Sequence, residues 1–136
     1  RVAAAAVRVA AGPSRAPRGP ANAERGVARA VRLIEREPRS ALALAELARE
    51  AWLSRFHFVR AFARFTGLTP HRYVLRARLR RAAVLLATSD TRIIDVAMTS
   101  GFRDVSSFNH AYRAEFAATP REHRLRLRRA KDADLP

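Results

Sequence analysis

The 136-residue sequence predicts an all-α fold that is built as two similar helical units joined by a long connecting helix. Apolar residues recur at helical spacing from Asn22 onward, and no stretch of useful length shows the alternation that is typical of a β-strand. Glycine and proline become rare after that residue and mostly fall between the periodic segments. Two segments also match each other at a constant offset of 50 residues, which indicates a repeated unit.

The first two helices follow a stretch, residues 11–20, that contains three prolines and two glycines and is expected to be an extended linker. Residues 1–20 are therefore expected to be a flexible tail or linker, with the end of a missing upstream domain as the alternative. Pro38 is expected to end the first helix, and Ser40 is the expected N-cap of the second. The apolar positions of these two helices are Val27, Ala30, Val31 and Ile34, and then Leu42, Leu44 and Leu47.

The third helix is predicted to carry Phe58, Phe62 and Phe65 and to end at Gly67. The connecting helix is predicted at about 71–87, where neither glycine nor proline interrupts the helical spacing. Its apolar positions are Val74, Leu75, Leu79, Ala82, Leu85 and Leu86.

The last three helices are predicted from shorter patterns. The segment 89–91, Ser-Asp-Thr, is expected to cap a short helix, and Gly101 is expected to form a turn. A basic helix is expected at 121–129, followed by a frayed tail over 129–136. The apolar residues of the short helix are Ile93, Ile94, Val96 and Ala97, and the next helix is anchored by Phe108 and Tyr112 and ends before Pro120.

The repeat predicts two helix-turn-helix units, at about 40–66 and about 91–117. Each copy has a short helix with an acidic residue and an alanine, a tight turn and a longer helix, which is the layout of that motif. A helical repeat for protein contacts is the alternative, although a solenoid usually needs three or more repeats and shows no basic bias. The matching positions are Phe58, Phe62, Thr69 and Pro70 in the first copy and Phe108, Tyr112, Thr119 and Pro120 in the second.

Composition and charge narrow the function classes. The apolar fraction of 49% is enough for a packed core, and the lack of cysteine excludes disulfides, thiol catalysis and cysteine-based zinc sites. The 27 basic residues outnumber the 12 acidic ones, which gives a net charge of +15. A domain this basic is expected to bind a polyanion, either nucleic acid or an anionic membrane surface, unless its arginines merely solvate an alanine-rich surface.

A helix that reads DNA presents polar, arginine or small apolar side chains on the face opposite its buried stripe. The expected base contacts are Phe56, Val59 and Arg60 in the first unit and Val105, Ser106, Asn109 and His110 in the second. Phosphate contacts are expected from helix N-termini and from arginines that flank the turns, namely Ser54, Arg55, Arg72, Arg76, Arg103 and Arg121.

Two rival classes fit the sequence less well. An enzyme is not expected, because the four histidines lack metal-ligand spacing and no nucleophile elbow or phosphate-binding loop is present. No metal and no cofactor are expected. A non-sequence-specific polyanion binder, acting on RNA or an anionic membrane surface, would use the basic segment 121–129, but that segment alone does not explain the repeat.

The two units resemble those of the AraC/XylS-type regulators. The resemblance rests on residues 44–54, on Thr66-Gly67-Leu68-Thr69-Pro70, and on the second-unit motifs at 94–97 and 101–104, and it covers roughly 22–124. It implies about seven helices in a DNA-binding domain at 21–128, with both recognition helices in major grooves of double-stranded DNA. Trp52 and Ala117 depart from the family pattern, because glycine usually stands at both positions, and Phe65 stands where a polar residue is usual.

The resemblance also implies partners and a location. It implies bacterial transcription regulation in the cytoplasm, contact with RNA polymerase if the protein is an activator, no membrane partner, and an effector that binds only through an upstream domain. The chain would then be either a DNA-binding fragment or a stand-alone member, and the proline- and glycine-rich linker favours the fragment. A lone domain of this type is expected to bind as a monomer.

Overall fold

The computed structural model describes residues 20–39 and 44–135. These residues form seven α-helices and no strand. None of the described helices is long and apolar enough to cross a bilayer. The helices are α1 (Pro20–Arg36), α2 (Leu44–Glu50), α3 (Arg55–Thr66), α4 (Pro70–Thr88), α5 (Ile93–Thr99), α6 (Val105–Phe116) and α7 (Pro120–Ala133).

The described helices enclose two separate hydrophobic cores, and α4 contributes to both. Its residue Ala77 packs in the first core, and Leu79, two positions later, packs in the second. The connecting helix is therefore a wall of each core rather than a free spacer. The first core includes Val27, Ala30, Ile34, Leu47, Phe58 and Phe62, and the second includes Leu86, Val96, Ala97, Phe108 and Tyr112.

Hydroxyl and carboxylate caps fix where the longer helices begin. The hydroxyls of Thr69 and Thr119 accept hydrogen bonds from the N–H of the third residue of α4 and α7, and a proline follows each threonine at the first helical position. Ser54 and Asp104 cap α3 and α6 in the same way. The repeat found in the sequence is thus a repeat of helix boundaries.

Three boundaries differ from the expectations. The 89–91 segment does not cap α5, because Arg92 is the N-cap residue and makes no side-chain cap; Ser89 instead ends α4, where its hydroxyl donates to the carbonyl of Leu85 at 2.6 Å. The basic helix α7 continues to Ala133, past the expected end at 129, and its arginines contact the α4–α5 connection. The first helix already begins at Pro20, a residue type that suits a first helical turn. The expected cap Ser40, the apolar Leu42 and the linker up to residue 19 lie outside the described residues.

Polar contacts of α4 fix the two units against each other. The Nε atom of Arg78 donates to the carbonyl of Pro38 at 2.7 Å, which connects α4 to the segment after α1. Two positions earlier, Arg76 forms an ion pair with Glu115 of α6 at 3.1 Å. One helix therefore carries contacts that orient both units.

Candidate nucleic-acid interface

The first helix-turn-helix unit consists of α2, a turn at 51–54 and α3. The turn is closed by the N–H of Leu53, which donates to the carbonyl of Ala48 at 3.0 Å. The α3 face toward the core carries Phe58, Ala61 and Phe62, all buried. The opposite face therefore points away from the core, and of the residues expected to contact DNA there Arg55, Phe56 and Arg60 are exposed and Val59 is half-buried.

An aromatic and cationic cluster occupies this outer face of α3. The Phe56 ring is 66% exposed, and the guanidinium carbon of Arg60 lies 5.4 Å from its centroid. The ring of His57 meets Phe56 edge-on at 5.9 Å between centroids, and its Nδ1 lies 2.7 Å from the hydroxyl of Ser54. The Ser54 hydroxyl is thus engaged with its own helix.

The second unit repeats this geometry with α5, a turn at 100–104 and α6. The N–H of Phe102 donates to the carbonyl of Ala97 at 3.0 Å, as in the first turn. Phe108 and Tyr112 are buried, whereas Ser106, Asn109 and His110 are exposed and Val105 is half-buried. The structure therefore brings the expected base-reading residues of each unit together on one outer face.

The two outer faces differ in charge. The Asp104 carboxylate accepts from the N–H of Ser107 at 2.7 Å, and this backbone bond holds the pKa of Asp104 below its usual value. The second recognition helix thus begins with an anionic cap, whereas the first begins with neutral Ser54. Phosphate is expected to be attracted more strongly to the first unit.

A shallow groove borders each recognition helix. The first encloses about 630 Å³ and the second about 390 Å³. Sequence reasoning missed Arg64 and Arg113, although each lies four residues after an expected base contact, Arg60 and Asn109, at helical spacing. The first groove is lined by Ala23, Leu53, His57, Arg60, Ala61, Ala63 and Arg64, and the second by Ile93, Asn109, His110, Arg113, Thr119, Pro120 and Arg121.

The expected phosphate contacts divide into two groups. Arg55, Arg72, Arg103 and Arg121 are exposed. Arg76 is engaged in the ion pair with Glu115, and the Ser54 hydroxyl caps α3, so both already have partners within the domain. Within 20–39 and 44–135 no cluster of acidic residues and histidines could hold a metal ion.

The comparisons with known proteins agree with this geometry. A family model described as a helix-turn-helix domain matches residues 47–131, more than half of the chain. The probable transcriptional regulator LumQ of Photobacterium leiognathi is 35% identical over 95 residues, which are 70% of this chain and 38% of that protein. The transcriptional activator RhaS of Klebsiella pneumoniae is 39% identical over 90 residues, 66% of this chain and 31% of RhaS. The chain thus spans less than two fifths of the length of these two relatives.

Solved structures with the same fold include DNA-binding domains. The DNA-binding domain of AdpA, determined in complex with a target DNA, has a TM-score of 0.73 and 27% identity over 79% of this chain and 96% of that one. An AraC-type regulator from Chromobacterium violaceum has a TM-score of 0.71 and 31% identity at the same coverage. The chain therefore belongs to the AraC/XylS-type family of transcriptional regulators and carries its DNA-binding domain with two helix-turn-helix units.

Proposed function

We propose that this chain binds double-stranded DNA in a sequence-specific manner, with α3 and α6 in successive major grooves. The observation that carries the proposal is the pair of outer faces: each recognition helix buries one face and exposes the side chains opposite it. The net charge of +15 supplies the attraction to phosphate that such binding needs. The relatives named as transcriptional regulators and the AdpA complex with its target DNA support the same reading.

The proposed roles divide between base edges and backbone. Arg60 suits the O6 and N7 atoms of guanine, whereas Asn109 suits adenine. Apolar Phe56 and Val59 suit thymine methyl groups. The full set of proposed base contacts is Phe56, Val59, Arg60, Val105, Ser106, Asn109 and His110. The proposed phosphate contacts are Arg55, Arg72, Arg103 and Arg121, together with Ser54 and Arg76, which would exchange their partners within the domain for phosphate.

The cellular role is proposed from the family. We infer that the chain acts in the cytoplasm of a bacterium, where its DNA is, and that RNA polymerase is a partner if it acts as an activator. An effector, if there is one, is proposed to act through a region other than the domain described. The second candidate is a general polyanion binder that uses Arg126 and Arg129 of α7. Both arginines are exposed and lie outside the two recognition helices, so they can bind phosphate independently of base reading.

Selection of binding sites from a randomised duplex library tests the proposal. The selection is run at about 150 mM salt with excess non-specific competitor, because electrostatic binding alone falls steeply with salt. Two enriched boxes about one helical turn apart are expected if both helices read bases. Enrichment of one box would assign reading to one unit only. Tight binding without any enrichment would contradict the proposal and favour the polyanion binder.

A matched pair of variants identifies which box each helix reads. Arg60→Ala is expected to relax the preference at one base pair of one box, and Asn109→Ala at one base pair of the other, because these residues lie on the outer faces of different units. Arg129→Ala serves as the control, since Arg129 is an exposed arginine near the far end of α7. Equal weakening of both boxes by all three variants would contradict base reading.

A further inference from the structure

An exposed aromatic ring stands beside an arginine on the outer face of α3. The Phe56 ring is 66% exposed in the second position of the helix, although a side chain of this type is usually buried. Arg60 follows one turn later and places its guanidinium carbon 5.4 Å from the ring centroid. The two side chains therefore form one surface rather than two independent contacts.

The charge of Arg60 is not neutralised within the described part of the chain. No ion pair is formed between its guanidinium and a carboxylate of residues 20–39 or 44–135. A guanidinium carries its N–H donors along the edges of its plane, so that one edge can bind a ligand while the guanidinium carbon lies over the Phe56 ring. A planar pair of acceptors, such as O6 and N7 of guanine, matches that edge.

The base next to this guanine determines what Phe56 touches. In a 5′-pyrimidine–guanine step, the C5 substituent of the pyrimidine projects into the major groove beside the acceptor edge of the guanine. A guanidinium bound to that edge lies against this substituent, and an apolar ring in contact with the guanidinium can pack against the substituent as well. A methyl group at C5 would therefore pack between the base and the Phe56–Arg60 pair.

We propose that α3 reads a 5-methylpyrimidine–guanine step, with Arg60 on the guanine and Phe56 on the C5-methyl group. This inference rests on the proposed function and deepens it. Thymine carries that methyl group, whereas cytosine carries it only when it is methylated. The chain thus binds TpG and 5-methylcytosine–guanine more tightly than the unmethylated cytosine–guanine step, and methylation of the DNA strengthens its binding at such a site.

Modified duplexes test the methyl contact directly. The probe is the duplex selected from the randomised library, and its first-unit box is the one in which Arg60→Ala relaxes the preference at one base pair. Four versions carry thymine, deoxyuridine, 5-methylcytosine or cytosine before the guanine, each with its complementary base. We expect the methylated member of each pair, thymine against deoxyuridine and 5-methylcytosine against cytosine, to bind about fourfold more tightly, as burial of one methyl group predicts. Fluorescence anisotropy of the labelled duplexes measures the affinities.

Two variants of α3 separate a methyl contact from a structural effect. Phe56→Ala is expected to abolish both methyl-dependent differences while the helix stays folded, because alanine is a good helix former. The control is Phe65→Ala, since Phe65 is also exposed and also has an arginine over its ring, Arg64 at 5.2 Å. Phe65 lies nine residues after Phe56, which is two and a half helical turns, and so on the opposite side of α3. Phe65→Ala is expected to retain the methyl dependence.

Two results would overturn the inference while leaving the proposed function intact. One is equal affinity of the wild-type chain for thymine and deoxyuridine duplexes. The other is a selected first-unit box without a pyrimidine–guanine step. A selection without any enriched box would instead contradict the proposed function, and this inference with it.

Discussion

Trp52 and Gly101 occupy the same position in the two turns, and both have a left-handed backbone, with φ of 58° and 100°. Glycine adopts this conformation without cost, whereas a residue with a Cβ pays about 1–2 kcal/mol. Trp52 gains little packing in exchange, because it is 59% exposed. The first turn therefore keeps the geometry of the second at the expense of stability.

Trp52→Gly is expected to raise the free energy of unfolding by about 0.5–1 kcal/mol, since relief of the left-handed strain exceeds the added entropy of an unfolded glycine. Urea denaturation measures the change. Gly101→Ala makes the reverse change in the second turn and should lower the free energy of unfolding by more than the left-handed backbone strain accounts for. A Cβ at this position would lie 2.9 Å from Nε of Arg78 and 3.2 Å from Cα of Arg39. Unchanged or lower stability of Trp52→Gly would show that the indole packs usefully.

The ends of the two recognition helices provide a second matched pair. Gly67 and Ala117 end α3 and α6 with φ of 82° and 56°. Ala117→Gly is expected to stabilise the domain by about 1 kcal/mol, and Gly67→Ala to destabilise it by a similar amount. A Cβ at Gly67 would meet nothing within 4 Å, so that only backbone conformation changes. Thermal melting of both variants measures the direction of each stability change, and a change in the same direction for both would contradict this account.

The two turns also show which features of the structure can be predicted from the sequence. The helical spacing and the 50-residue repeat predicted the all-α fold, the two units and the connecting helix, because burial forces a periodic pattern on each helix. Comparison with the family pattern identified Trp52 and Ala117 as unusual residues at positions where glycine is common, and both have a positive φ. The partners of Arg76 and Arg78 were not predictable, since a contact between distant helices leaves no local pattern. The predicted start of α5 was wrong, because the Ser89 hydroxyl bonds the carbonyl of Leu85 at the end of α4 and Arg92 is the N-cap residue of α5.

The stability of the second unit is expected to depend on pH through His123. Burial, and then the positive charge of Arg126, lower the pKa of His123, whose Nδ1 hydrogen-bonds the hydroxyl of Tyr112. Burial also raises the pKa of Tyr112 to about 12, so this hydroxyl is the donor near neutral pH. A histidine with a lowered folded pKa stabilises the fold above its unfolded pKa of about 6.5, and this contribution is lost as the pH falls through the folded pKa.

Denaturation at a series of pH values between about 8 and 5 measures this effect. The free energy of unfolding is expected to fall toward the acidic end in the wild-type chain. His123→Asn keeps a polar atom near the position of Nδ1 but does not titrate, so its profile should be flatter over this range. Identical slopes of the two chains would assign the pH dependence to other groups.

Arg78→Met is expected to loosen the two units relative to each other. The substitution removes the hydrogen bond to the carbonyl of Pro38 and should cost about 1–3 kcal/mol, because a charged donor is lost and a partly buried acceptor is left unpaired. Site selection with this variant should enrich the same two boxes over a broader range of spacings. An unchanged spacing preference would show that packing around α4 alone fixes the orientation.

Base and phosphate contacts are expected to differ in how they respond to mutation. Arg60→Ala should cost about 1–3 kcal/mol on the selected site and relax the preference at one base pair. Arg72→Ala, at an exposed phosphate candidate, should weaken binding to all duplexes equally and reduce the salt slope by about one. Affinities measured on selected and scrambled duplexes at several salt concentrations check both. Equal losses of Arg60→Ala on the two duplexes would reassign Arg60 to the backbone.

The strained turn residue also supplies an optical signal. Trp52 is the sole tryptophan of the sequence, and it lies two residues before the cap of the first recognition helix with most of its ring in water. Its emission therefore reports on the surroundings of one unit only, without a label. Titration with DNA would show when the first unit engages, whereas a dye on the duplex reports engagement of either unit, so the order in which the two units bind becomes measurable in one experiment.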